Sequence, residues 1–180
     1  MTMQYEKIIH PLEPVYNERS RFLVLGTIPS PVSREKNFYY SHPQNKFWQV
    51  LSAVFDVPIP FTVESKKKLI LENNLALWDV LASCQIKGAS DTTIREPVAN
   101  DFSVLLQETS IERIFTTGTQ AYKLYTKLCL PDTKIEAISL PSTSAANQGR
   151  YPLNKLIKEY MVLRDLQRPL YNSEKAEKRK

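Results

Sequence analysis

A chain of 180 residues with 42% apolar and 24% charged residues holds enough apolar side chain for one globular domain with a real core. Its net charge of +5 suits a polyanionic partner but does not demand one, because part of it sits in a polar tail where Lys175, Lys178, Arg179 and Lys180 face only Glu174 and Glu177. Cys84 and Cys129 have no CxxC spacing and no neighbouring His pair, so two reduced, buried thiols are expected, with no metal and no cofactor.

The chain opens without a basic region followed by an apolar run, and no stretch approaches the ~18 apolar residues of a membrane span. The expectation is a cytoplasmic monomer, nucleoid-associated if prokaryotic, with no membrane partner. A single domain is expected over residues 1–171, followed by a disordered basic tail over 172–180.

In chain order, Phe22–Leu25 is an apolar run closed by Gly26, as in a strand buried on both faces of a parallel sheet. Phe47, Trp48, Leu51, Val54 and Phe55 recur at three and four residues and predict a helix over Lys46–Phe55. Thr62 is placed to cap a helix through Leu69 and Ile70, and Leu75–Trp78 reads as the second strand. Asn100 is expected to cap a helix through Leu105 and Leu106, before a third strand over Ile111–Thr116. Thr119 would cap a helix through Tyr122, Tyr125 and Leu128, and Ile135–Leu140 gives the fourth strand. Pro152 suits the first turn of a last helix whose stripe is Leu153, Leu156, Ile157, Tyr160 and Met161. Alternation of this kind predicts an α/β fold: a three-layer α/β/α sandwich around a small, about four-stranded, mainly parallel sheet.

Ligands of such sheets bind beyond the carboxyl ends of the strands. The loop after the first strand reads Gly26-Thr27-Ile28-Pro29-Ser30, where a glycine permits close approach and a proline stiffens the turn. The loop after the last strand, Leu140-Pro141-Ser142-Thr143-Ser144-Ala145-Ala146-Asn147, offers hydroxyls and backbone N–H groups suited to phosphate oxygens, or to turns and a helix cap. Between them lies Asn37-Phe38-Tyr39-Tyr40-Ser41-His42-Pro43-Gln44-Asn45-Lys46-Phe47-Trp48. Aromatic faces next to a side-chain amide are what a pocket needs to hold an unstacked base. No Gly-rich or acidic strand-end loop points to a flavodoxin-like or phosphate-ester domain.

These three strings, in this order, resemble the signature motifs of the uracil-DNA glycosylase superfamily, and most closely its mismatch-specific branch and the hypoxanthine-DNA glycosylase group. Leu77–Leu81 and Thr117–Ala121 share the resemblance, which spans about residues 20–165. It implies a DNA repair glycosylase that flips a deaminated base out of DNA and hydrolyses its N-glycosidic bond, with hypoxanthine as the expected base. The alternatives are a G/U or G/T mismatch-specific enzyme and a silent, damage-binding relative. Much of the superfamily carries Asn or Asp at the third position of the first motif, where this chain has Ile28, which cannot hydrogen-bond. The resemblance therefore moves the catalytic role to Asn45, orienting water through its carbonyl or donating to a base oxygen. It implies a base pocket of Gly26, Thr27, Ile28, Pro29, Tyr40 and His42, with Tyr40 stacking on the base. It also implies DNA contacts through Ser30, Ser142, Thr143, Ser144, Ala146, Asn147 and Arg150. Ala145-Ala146 stands where some relatives carry a bulky wedge.

Overall fold

A computed structural model describes residues 4–168, and the expected tail over 172–180 lies outside them. The chain forms β1 (Glu6–Ile9), β2 (Phe22–Gly26), α1 (Pro31–Glu35), α2 (Phe47–Phe55), α3 (Val63–Glu72), β3 (Leu75–Asp79), β4 (Leu81–Ile86) and β5 (Arg95–Ala99). It continues through α4 (Ser103–Glu108), β6 (Arg113–Thr117), α5 (Thr119–Leu128), α6 (Leu130–Thr133), β7 (Ala137–Leu140), α7 (Leu153–Tyr160) and α8 (Val162–Asp165).

Four strands make the expected parallel sheet, in the order β3-β2-β6-β7. Every residue of β2 is buried, and its side chains alternate between two cores. Phe22 and Val24 join α2, α3 and α7 through Phe47, Leu51, Ile70, Leu156 and Tyr160. Leu23 and Leu25 join α4 and α5 through Leu105, Ala121 and Tyr125. Each such fully buried side chain contributes roughly 1.5–3 kcal/mol over its exposed state, so this one strand ties both helical layers together.

The second core also receives Ile8, Leu81, Cys84 and Ile86 from an antiparallel sheet of order β1-β4-β5, which the apolar pattern does not predict. Its strands are short or half-exposed: β1 buries only Ile8, and β5 carries Pro97 and mostly outward side chains. Both cysteines are buried and unpaired.

Two predicted caps fall elsewhere. The Asn100 side chain donates to the Asp79 carbonyl (2.9 Å), and α4 starts instead where Asp101 accepts from the Ser103 N–H (2.9 Å). Thr119 is the first helical residue of α5, and Gly118, at φ 98°, makes the turn that a side chain would resist. Thr62 does cap α3, in a reciprocal arrangement with Ser65.

The strand order sets the position of the cleft. The connection leaving β2 runs to β3 and the one leaving β6 runs to β7, on opposite sides, so the switch point lies between Gly26 and Thr117. The loop after β6 thus joins the two loops singled out from sequence.

Candidate active site

A cleft of about 440 Å³ opens at this switch point, within the size range of small-molecule sites. Gly26, Thr27, Ile28, Pro29 and Ser30 line it from the first loop, Tyr40 and Asn45 from the aromatic string, and Ser142, Thr143, Ser144, Ala146 and Asn147 from the last loop. His42 and Arg150 stand outside the cleft, which corrects the expectation that His42 lines the base pocket. His42 instead shapes its own turn: its Nδ1 accepts from the Gln44 N–H (3.2 Å) and its carbonyl from the Asn45 N–H (2.9 Å). The guanidinium of Arg150 lies 5.9 Å from the Tyr151 ring.

Tyr40 sits at φ 50°, a left-handed conformation that is costly for a bulky residue and persists only where packing enforces it. Here Phe47 stacks flat on its ring (3.8 Å, 13°), and its hydroxyl meets Thr117 Oγ1 at 3.0 Å. Burial holds the Tyr40 phenol, and likewise that of Tyr39, well above the usual tyrosine value, so both are neutral hydrogen-bonding groups.

The side chain of Asn45 is fixed at one end only. Its Oδ1 accepts from the Phe47 N–H (2.9 Å) and from the Thr143 hydroxyl (2.8 Å). A carbonyl with both lone pairs filled is a poor water acceptor, so the expected carbonyl role gives way to the amide N–H₂, which has no hydrogen-bond partner among the described residues. The same contacts correct the expectation for Thr143. That residue is only 2% exposed and spends its hydroxyl on Asn45, so it supports the cleft from behind rather than meeting phosphates.

Around this pair the two loops are clasped together. The Lys46 N–H donates to the Thr143 carbonyl (3.0 Å) and Gln148 Nε2 to the Gln44 carbonyl. Tyr160, fully buried, donates to the Pro141 carbonyl (2.7 Å), and Asn147 Nδ2 to that of Ser142 (2.8 Å). Ser142, Ser144 and Ala146 remain on the open side, and Ser30 caps the first turn of α1 by accepting from the Ser33 N–H (3.2 Å).

Sequence reasoning missed the charged groups of the cleft. Asp79, 4% exposed, ends β3 beside Gly26, and its Oδ2 accepts from His10 Nε2 at 2.7 Å. His10 Nδ1 accepts from the Leu12 N–H (3.2 Å), so the ring proton must be on Nε2 and must point at Asp79. The other oxygen, Oδ1, has no hydrogen-bond partner among the described residues. A Cβ at position 26 would stand under 3 Å from it, so Gly26 is required for this close approach. Asp91, from the β4–β5 connection, and Arg34, from α1, line the same cleft. An aspartate ending a buried apolar strand at its ligand-binding edge was the available signal for Asp79. Nothing local marks His10, which directly follows β1 of the unpredicted sheet.

An α/β/α sandwich with an aromatic-walled, amide- and carboxylate-bearing cleft at its switch point has the form of a DNA glycosylase. A sequence model described as the uracil DNA glycosylase superfamily matches residues 13–164, and the chain belongs to that superfamily. It is similar to the Hypoxanthine DNA glycosylase of Methanosarcina acetivorans, 32% identical over 142 residues that cover 78% of this chain and 89% of that protein. It is also similar to the Hypoxanthine DNA glycosylase of Methanosarcina barkeri, 33% identical over 93 residues that cover 51% of this chain and only 59% of that one. The solution NMR structure of a candidate uracil DNA glycosylase from Methanosarcina acetivorans superposes with a TM-score of 0.75 at 30% identity, covering 88% of this chain and 98% of that one. His10 lies just outside the residues matched by the superfamily.

Proposed function

We propose that the protein hydrolyses the N-glycosidic bond of a deaminated base flipped from DNA, with hypoxanthine as its principal substrate. The observation that carries this reading is the Asp79 carboxylate, which lines the cleft: one oxygen is taken by His10 and the other has no hydrogen-bond partner among the described residues. Deamination turns an amidine edge into a lactam, replacing a ring-nitrogen lone pair by an N–H and an amino group by a carbonyl. A carboxylate that can only accept favours the lactam N–H of hypoxanthine and repels the N1 lone pair of adenine. The free amide N–H₂ of Asn45 is the complementary donor, to a base carbonyl or to the attacking water.

In this reading the base stacks on Tyr40 with Ile28 as an apolar wall. Ser142 and Ser144, with backbone N–H groups of the last loop, meet phosphates, whereas Ser30 spends its only O–H on Ser33 Oγ (3.1 Å) and has no donor left for them; Arg150 adds a salt-sensitive contact. The proteins named Hypoxanthine DNA glycosylase support the choice of base. Uracil presents the same lactam edge and is the second reading.

The test incubates the protein with labelled duplexes carrying deoxyinosine, deoxyuridine, deoxyxanthosine or G·T, followed by alkali to break abasic sites. Strand breaks should be fastest with deoxyinosine, and Asn45→Ala should abolish them while leaving duplex binding intact. Breaks only at uracil would overturn the choice of base; none with any lesion would favour a binding-only protein.

A further inference from the structure

Hydrolysis needs a destination for the proton of the attacking water, and Asn45, a neutral amide, does not provide one. The ionisable groups lining the cleft are Arg34, Tyr39, Tyr40, Asp79 and Asp91 among the described residues. Arg34 is a cation whose guanidinium donates to the Pro29 carbonyl (3.0 Å), and both phenols are held neutral by burial. Asp79 already binds the His10 N–H through one oxygen, and on the reading above it gives the other to the base.

That leaves Asp91. It follows the turn Gly88-Ala89-Ser90, reaches the cleft from the antiparallel sheet, and faces the Thr27 hydroxyl next to Ile28, the apolar residue of the first loop. We propose that Asp91 is the general base of the reaction, supplied from the β4–β5 connection to a first loop that has no polar side chain at Ile28. The inference rests on the glycosylase reading of the cleft. In the step, a water oxygen bonds to C1′ of the deoxyribose as the C1′–N bond breaks and its electron pair leaves with the base. One water proton passes to the Asp91 carboxylate, which then releases it to the departing base or to solvent, so the net reaction consumes one water and regenerates the enzyme.

Burial pushes the Asp91 carboxyl above the ordinary aspartate value; the Thr27 hydroxyl offsets part of that and the neighbouring Asp79 charge adds to it. Arg34, Tyr40 and Cys84 are the other charged or titratable groups around it. A base of raised affinity for protons is a stronger acceptor at neutral pH than an exposed aspartate.

The experiment measures single-turnover base release against pH for the wild type, Asp91→Asn and Asp91→Glu, on whichever lesion duplex the wild type cleaves best. Wild-type rates should fall on acidification along a limb centred above the ordinary aspartate value of about 4. Asp91→Asn keeps the size and the Thr27 contact, so it should fold and bind duplex normally. It should nonetheless lose about 100-fold or more in rate, together with the acid limb. Asp91→Glu should be slower than wild type but keep the limb. An Asp91→Asn variant with wild-type rate, or a slow one that retains the limb, overturns the inference and leaves the glycosylase reading standing. A wild type that releases no base overturns both.

Discussion

Replacing Asp79 by asparagine tests the lactam-edge argument at the level of single atoms. The substitution keeps the side-chain shape and so leaves the cores in place. The Leu12 N–H holds His10 Nδ1 as an acceptor, so the His10 Nε2–H must find an acceptor at position 79. The introduced amide therefore turns its oxygen to His10 and its N–H₂ to the cleft. An acceptor becomes a donor against the N–H of the deaminated base. Losing a hydrogen bond to a charged group costs ~1.5–3 kcal/mol, and opposing two donors adds to it; a total of about 2–4 kcal/mol corresponds to about 30- to 1000-fold in rate. The same donor now matches the N1 lone pair of adenine, so the ratio of deoxyinosine to deoxyadenosine excision should narrow beyond the loss on deoxyinosine alone. Single-turnover cleavage of paired duplexes, with thermal melting as the control for folding, reads both effects. A variant that keeps the wild-type rate on deoxyinosine would refute the assignment of Asp79 to the base edge.

Gly26→Ala drives a methyl into Asp79 Oδ1 and brings it to 3.1 Å from the Tyr40 hydroxyl. Overpacking of this kind costs about 1–3 kcal/mol, so a depressed Tm is expected together with near-complete loss of base release, read by melting and by the same cleavage assay. Asp91 also predicts a pH-dependent stability difference. Its folded-state carboxyl binds protons more tightly than the unfolded one. Stability is therefore greatest below the unfolded value of about 3.9 and is lost as pH rises through the folded value. Melting from pH 4 to 8 should show Asp91→Asn gaining on the wild type as pH rises; a constant gap would contradict the burial argument.

The parallel sheet was legible because a strand buried on both faces must be apolar throughout, as Phe22–Leu25 and Leu75–Trp78 are. Its strand ends moved by a residue or two where chain direction, not hydropathy, sets the limit, as at Arg113 and Ala137. The antiparallel sheet was not legible: β1 offers one buried side chain and β5 contains a proline, so pairing rather than composition makes them strands. In the site, Tyr40 and Asn45 stood out because neither helix nor strand requires that string. The partners that define their chemistry did not. Thr143 meets Asn45 across 98 residues and His10 meets Asp79 across 69, and no local pattern encodes contacts at that range.

The clasp between residues 44–46 and 143–148 sets an order of assembly for the site. Asn45 emerges early in the chain, yet one of the two donors to its carbonyl arrives with a loop that follows the last strand. Until that loop docks, the amide is held by the Phe47 N–H alone, and it returns to that single tether whenever the loop opens. The loop is held by a few hydrogen bonds, whereas β2 behind it is buried along its whole length, so local opening costs less than global unfolding. The working pocket is therefore a unit that can open on its own, and on heating, base release should be lost at a lower temperature than the two cores melt.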